Sequence, residues 1–270
     1  FLLLSAVFYG FSLYSYALLW PIVPFILALQ ILYCLYYKKL RIDKWSLLAS
    51  LLLFLIALPL ILFVLVNSDI LPEITLPFMT IPRMPGYRGS EIAFQLSQMW
   101  ANFRNALSIL WHQNQGAPYD ILLPWGLFYD IGRVFIVIGT LALLVRLFSA
   151  FRKKSFAGEY FLFAQLAGGA FSCVLVMASP HQINALYIPL VLSQAYGVWF
   201  VTDYLRKKSS VIGKIMPPLL AILYLICLLL FQRDYYTKYR QIASAYFAEG
   251  LEECIDYARE QCIEKNISVI

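Results

Sequence analysis

The sequence predicts an all-α polytopic membrane protein with about six to seven transmembrane helices. Three observations carry that reading. Of 270 residues, 61% are hydrophobic and 13% charged, against about 45–50% apolar and about 25% charged in soluble domains. The apolar residues fall in continuous runs of roughly 20, long enough as helices to cross the hydrocarbon, and they do not alternate as barrel strands do. The cations gather between the runs, so the formal charge of +6 is a topology signal. No nucleic-acid partner is expected, and the lipid bilayer is the first partner.

Residues 1–9 read as the tail of a span, followed by an aromatic turn, Phe11-Ser12-Leu13-Tyr14-Ser15-Tyr16. Tyrosines suit that place because the ring is apolar and the hydroxyl is wet. A span is expected over 17–37, with Pro21 and Pro24 near its start, where proline costs least. Another follows over 45–66. Further spans are expected at 128–145, 160–178, 185–202 and 215–231.

Between spans lie Lys38, Lys39, Arg41 and Lys44; then Arg146, Arg152, Lys153 and Lys154; then Arg206, Lys207, Lys208 and Lys214. Two spans separate each basic connector from the next, so all three meet the same side of the membrane. The positive-inside rule makes that side cytoplasmic. The loop 67–127 and the tail 232–270 are then extracytoplasmic, and residues 1–231 form the multi-span domain.

The outer loop opens with Pro72, Pro77, Pro82 and Pro85. Ile92, Leu96, Met99, Phe103, Leu107 and Leu110 then recur at helical spacing. An amphipathic helix is expected over 91–111, capped by Ser90 with Glu91 at its positive end. It would lie on the membrane surface or pack on the outer ends of the spans. The tail is expected to be helical over 238–263 and, with the β-prone residues 266–270, to begin a small extracytoplasmic α/β domain. The chain opens inside a hydrophobic run without Met and is expected to be a piece of a longer protein. Cys254 and Cys262, eight apart on a helix, are too far separated to bridge.

No full span carries a charge near its centre, which disfavours ion-coupled transporters. There is no GxxxxGK[ST], HExxH, CxxC or GxSxG. The polar candidates are all outside. Arg83 and Arg88 have the planar fork that suits a phosphate, with Glu91 nearby to orient an arginine or meet a sugar hydroxyl. The run from His112 through Gln113 and Asn114 to Asp120 offers hydrogen-bonding groups between aromatics, a composition suited to sugar or acceptor. His181, Gln182 and Asn184 form a polar span entrance.

Three stretches resemble the polytopic GT-C glycosyltransferases, in particular bacterial family 39 members similar to dolichyl-phosphate-mannose–protein mannosyltransferases. Gly10-Phe11-Ser12-Leu13-Tyr14-Ser15-Tyr16 is similar to the family's G-x-x-x-Y-x-Y turn. Gln113-Asn114-Gln115-Gly116-Ala117-Pro118-Tyr119-Asp120 with Trp125-Gly126-Leu127-Phe128-Tyr129 resembles its Q-N-D-G…F-G-x-x-Y loop. Gln182-Ile183-Asn184-Ala185-Leu186-Tyr187-Ile188-Pro189-Leu190 resembles its R-I-N-x-x-x-I-P-L span entrance. Gln115 stands where the family has Asp, and Gln182 where it has Arg, which leaves His181, Arg88 or Arg83 to meet a phosphate. The resemblance implies transfer of a sugar from a polyprenyl-phosphate carrier to a glycan, lipid or protein acceptor at the outer face. It also implies a carboxylate base in a first outer loop, expected upstream of Phe1. No cofactor is expected within these residues, although the family sometimes places a divalent metal near that base. The competing reading is a non-enzymatic scaffold or flippase-like component of cell-envelope polysaccharide assembly.

Overall fold

The structure is a computed structural model. It describes residues 1–77, 79–85, 95–114, 120–244, 246 and 251–264, without the side chains of Arg240, Ala243, Glu252 and residues 262–264. The chain divides into two compact units, one of Phe1–Trp111 with Ile131–Val201 and one of His112–Asp130 with Thr202–Ile270.

The first unit begins with α1 (Leu2–Ser15), α2 (Leu19–Tyr36) and α3 (Lys44–Asn67), then a hairpin of β1 (Ile74–Leu76) and β2 (Met79–Ile81). It continues with α4 (Leu96–His112), α5 (Asp130–Arg152), α6 (Tyr160–Leu175) and α7 (Tyr187–Lys208), whose last turns, from Thr202, belong to the second unit. The second unit holds α8 (Ser210–Asp234), a π-helical turn at Tyr235–Tyr239, α9 (Arg240–Ser244) and α10 (Leu251–Glu264). The fold is all-α apart from that hairpin, among the described residues. Among the described residues, five segments are long and apolar enough to cross a membrane: Leu19–Tyr36, Lys44–Asn67, Asp130–Arg152, Asn184–Lys208 and Ser210–Tyr239. The apolar helices α1 and α6 are shorter.

Inside the first unit, small residues let helices approach closely. A Cβ on Gly10 of α1 would meet Ile56 of α3, and the Tyr14 hydroxyl donates to the Ile56 carbonyl at 2.7 Å. A Cβ on Gly168 of α6 would run into Ile26 of α2, beside the stacked rings of Phe25 and Phe171, 4.4 Å apart. Between α5 and α7 the fit is tighter still: a Cβ on Gly139 would collide with the Ser193 carbonyl, and one on Gly197 with that of Phe135. Such contacts suit lipid, where helices gain little from excluding water and associate through packing.

The end of α2 is anchored by Tyr33. Its ring stacks on Tyr160 at 3.8 Å. Its hydroxyl accepts from Ala157 N at 2.8 Å and donates to Ala157 O at 3.1 Å. At the start of α3, Asp43 accepts from Ser46 N, and Ser46 Oγ accepts from Asp43 N, a reciprocal cap.

Several expectations change. The turn expected at 11–16 is helical as far as Ser15. Ser12 and Ser15 turn their hydroxyls back onto the helix's own carbonyls, those of Tyr9 and Ser12, so they do not break it. The proline-rich start of the outer loop holds the hairpin, pairing Ile74 with Ile81 and Thr75 with Thr80. Prolines lie just outside its strands, where no ladder hydrogen bond is lost. The expected span from 128 to 145 is a helix running on to Arg152, carrying Arg146 outward on its long stem. The span expected from 215 starts at Ser210, capped by Ser209. The helix expected over 238–263 is divided into a π-helical turn, α9 and α10. The β-prone residues 266–270 lie outside the described residues.

Candidate functional site

Arg88 and Glu91 lie outside the described residues, as do Ser90 and Gln115. The remaining candidates divide between the two units. Arg83, His181, Gln182 and Asn184 belong to the first; His112, Gln113, Asn114 and Asp120 belong to the second.

Arg83 leaves the hairpin under local control. Asn67 at the end of α3 donates to the Phe63 and Pro82 carbonyls and accepts from Met84 N at 2.7 Å. Glu73 accepts from Arg83 N at 2.9 Å. The guanidinium meets Asp69 at 3.1 Å, with half of the arginine side chain exposed. An exposed pair of this kind contributes about 0–1 kcal/mol, so an incoming anion could compete for the arginine.

The helix α4 is docked differently from its sequence pattern. Its buried residues are Asn102, Ala106 and Ile109. Asn102 donates to the Val174 carbonyl at 3.2 Å, and Asn105 to that of Ala178 at 2.9 Å. Two amides therefore tie α4 to the end of α6 and the chain that follows. Leu96, Leu107 and Trp111 stay exposed. The apolar stripe read from the spacing thus lies partly outside the protein contact, where lipid can cover it. Part of that stripe roofs an apolar cavity of about 330 Å³, lined by Phe103, Leu107 and Leu110 of α4, Leu144 of α5, Leu166 of α6 and Leu190 of α7.

The span entrance after α6 is a fixed turn. Ser179 O accepts from the backbone N–H of Gln182 and Ile183. Ser179 Oγ donates to Gln182 Oε1 at 3.0 Å and lies 3.2 Å from His181 Nε2. The Tyr187 hydroxyl donates to the Pro180 carbonyl. His181 and Asn184 are exposed, and Gln182 is half-buried with its oxygen engaged.

In the second unit, Gln113 is the residue whose place differs most from its expected role. It is buried, in a left-handed backbone with φ 54°. Its Oε1 accepts from Leu127 N at 2.8 Å and Phe128 N at 2.6 Å. Gly126, at φ 66°, is held against it, and a Cβ there would press on the Gln113 side chain. Gln113 therefore closes the 113–128 loop, and its carbonyl oxygen has no capacity left for a sugar. Gln113→Ala strands two backbone donors, each costing about 1–3 kcal/mol. The expected result is a lower melting temperature and faster amide exchange at Leu127 and Phe128; wild-type exchange there would contradict the clamp.

The closed loop presents Trp125, which sequence reasoning did not assign to a site. Its indole N–H donates to Asp234 Oδ2 at 3.1 Å. Its ring meets Phe231 edge-on at 6.1 Å and Tyr129 at 5.8 Å. Burial pushes the Tyr129 phenol above its ordinary value, with Cys227 adding to the shift, so it stays a hydrogen-bond donor at neutral pH. Asp234, also unassigned, is buried at the end of α8. Its Oδ1 accepts from Arg233 Nη2 at 3.0 Å and meets Lys238 Nζ at 3.3 Å. Both cations are more than half exposed. One carboxylate thus holds two cations whose heads reach solvent, a net positive face.

The π-helical turn follows at once, a distortion that often marks functional sites. It stacks Tyr235 on Tyr239 at 4.8 Å, and Asp120 lies within electrostatic reach of Tyr239. The visible signal in the sequence was an Arg-Asp pair closing a long apolar run. Its partner Trp125 lies 109 residues away, so no local pattern joined the two.

Among the described residues, no cluster of three or more His, Cys, Asp or Glu side chains could hold a metal ion. Asp234 is already engaged by Arg233, Lys238 and Trp125. No family model, curated protein or solved structure matches the chain.

Proposed function

We propose that the chain is part of a GT-C-type membrane glycosyltransferase that moves a sugar from a polyprenyl-phosphate carrier to an acceptor at the extracytoplasmic face. The observation that carries this reading is the second unit's cluster. It sets an exposed pair of cations, Arg233 and Lys238, beside the aromatic group of Trp125, Tyr235 and Tyr239. Phosphate needs mobile cationic donors, and a sugar ring is met by aromatic faces with polar groups at their edges. In this reading Arg233 and Lys238 hold the carrier phosphate and stabilise the charge that grows there as the glycosidic bond breaks. Asp120, Asn114 and His112, in the same unit, serve sugar or acceptor. These are binding roles, and none of these residues is assigned as the base. The finer topology belongs to the same proposal: six to seven spans, with the 67–127 loop and the tail outside.

The test is binding of a short polyprenyl phosphate to the purified chain, followed by native mass spectrometry, with the uncharged polyprenol as control. Arg233→Ala and Lys238→Ala should each weaken phosphate binding by roughly ten- to a hundredfold, the worth of one charge-assisted hydrogen bond. Equal binding of phosphate and alcohol by the wild-type chain would remove the basis of the proposal.

A further inference from the structure

We infer that the first unit carries a second, separate anion site: a binding place for the headgroup of an anionic phospholipid, built from its two basic connectors. This goes beyond the transferase reading and does not depend on it. Lys38, Lys39, Arg41 and Lys44 link α2 to α3, and Arg152, Lys153 and Lys154 link α5 to α6. They are far apart in sequence, yet an aromatic cluster joins them. The Tyr37 ring, immediately before Lys38, lies 6.4 Å from Phe151, immediately before Arg152, and 6.0 Å from Phe156, just after Lys154. Tyr33 fixes the same junction through its two hydrogen bonds to Ala157.

The cations are exposed, and among the described residues none of them is paired with a carboxylate. The local acids are already engaged. Asp43 caps α3, and Glu159 meets Arg146 at 3.3 Å. Lys44 lies over the Trp45 ring and Arg152 over Phe148, which leaves their charges uncompensated. The hydroxyl of Tyr37, at the same junction, is buried without a hydrogen-bond partner among the described residues.

A second observation points the same way. Helices α2 and α5 end in matching left-handed caps. Lys39 N donates to the Cys34 carbonyl at 2.8 Å and Ser155 N to that of Ala150 at 2.9 Å. The left-handed position is Lys38 in one cap (φ 53°) and Lys154 in the other (φ 50°). Glycine is the residue that such a position favours. At both ends a lysine stands instead, at mirrored places in the two connectors. Asp69 holds the same position in the cap of α3 (φ 59°), so the cap itself does not select a cation; the two lysines add positive charge to the one junction that the aromatic cluster closes. The partner is a phospholipid, because Tyr36, Trp45 and Phe156 stand exposed around the cations, and exposed aromatics beside lysines are what a headgroup region accommodates.

The test uses the purified 270-residue chain, delipidated and titrated with phosphatidylglycerol or phosphatidylcholine, with bound lipid counted by native mass spectrometry. Phosphatidylglycerol should be retained preferentially, and glycerol phosphate at equal concentration should not displace it. Each lysine near an anionic surface is worth about fivefold in affinity. The variant K38Q/K39Q/K153Q/K154Q should therefore lose at least about a hundredfold. K207Q/K208Q, in the second unit, should bind as wild type, as should Arg233→Ala, which separates this site from the transferase reading. Lys38→Gly with Lys154→Gly should weaken phosphatidylglycerol binding while leaving the melting temperature unchanged or higher, a split that a purely structural lysine would not produce. Equal retention of the two lipids, displacement by glycerol phosphate, or full retention by the quadruple variant would each overturn the inference.

Discussion

Leucine in place of Gly139 or Gly197 is expected to abolish the folded protein. The two glycines face each other across α5 and α7, and each would-be Cβ falls on backbone atoms of the other helix: Ser193 and Gly197 for Gly139, Phe135 and Gly139 for Gly197. Backbone cannot swing aside as the end of a flexible side chain can. Ser193, fully buried, completes the contact by turning its hydroxyl back to the Pro189 carbonyl of its own helix. In lipid this kind of contact is most of what associates two helices, since tails solvate Leu as well as a protein interior does. Inserting even one methyl should cost about 1–3 kcal/mol or more, and a leucine should separate the helices. Size-exclusion profiles and melting curves in mild detergent read this directly. Gly158, with nothing within 4 Å of its would-be Cβ, is the matched control, and Gly158→Ala should melt close to wild type. A Gly197→Leu protein that melted with wild type would show that α5 and α7 do not touch as described.

The contrast between these glycines shows what could be read from sequence. The apolar runs announced the long helices, because about 20 apolar residues have few other uses. Their ends were less legible: Arg146 and Lys214 read as connector charges, whereas α5 and α8 carry both within the helix, their long stems allowing a charged head to reach the interface. The Ser193-Gln194-Ala195-Tyr196-Gly197 spacing of small residues stands in the sequence, but only the position of α5 shows that it is an interface. The hairpin has a local signal too, Ile74-Thr75-Leu76 and Met79-Thr80-Ile81 with prolines at their borders, but its pairing is seen only in the structure.

At the candidate site, sequence found the right segments and not the occupations. It marked 112–120 as polar, and Asp120 proves to lie within electrostatic reach of Tyr239. It could not show that Gln113 closes a loop, because Leu127 and Phe128 accept no pattern rule that links them to an amide 14 residues earlier. Hydrogen-bond partners of that kind are set by the folded path of the chain. The same holds for Asn102 and Asn105, which fall on the helix face that the hydrophobic spacing would send to water, and which instead bind the end of α6 and the chain that follows it.

The second large effect is expected at Asp234. Asp234→Ala removes the acceptor of the Trp125 indole and the counter-charge of Arg233 and Lys238 in one step. Two exposed cations would then repel each other, and the loop tip would lose its polar tie to α8. Amide exchange over 121–129 should accelerate by at least about tenfold, as expected when a charge-assisted hydrogen bond is lost. Polyprenyl-phosphate binding should fall with it, because the cations lose their common anchor. Asp234→Asn distinguishes the two parts of the role. Its amide oxygen can still accept from Trp125, so the loop should stay nearly as protected as in wild type, while the cations are no longer held and phosphate binding should drop. Trp125→Phe keeps the ring against Phe231 but deletes the N–H, and so should loosen the loop with less effect on the cations. Combined with Asp234→Ala, its effect on exchange should be sub-additive, since both substitutions break the same bond. Full additivity would mean that the Trp125–Asp234 hydrogen bond does not hold the loop, and that the cluster must be explained by the cations alone.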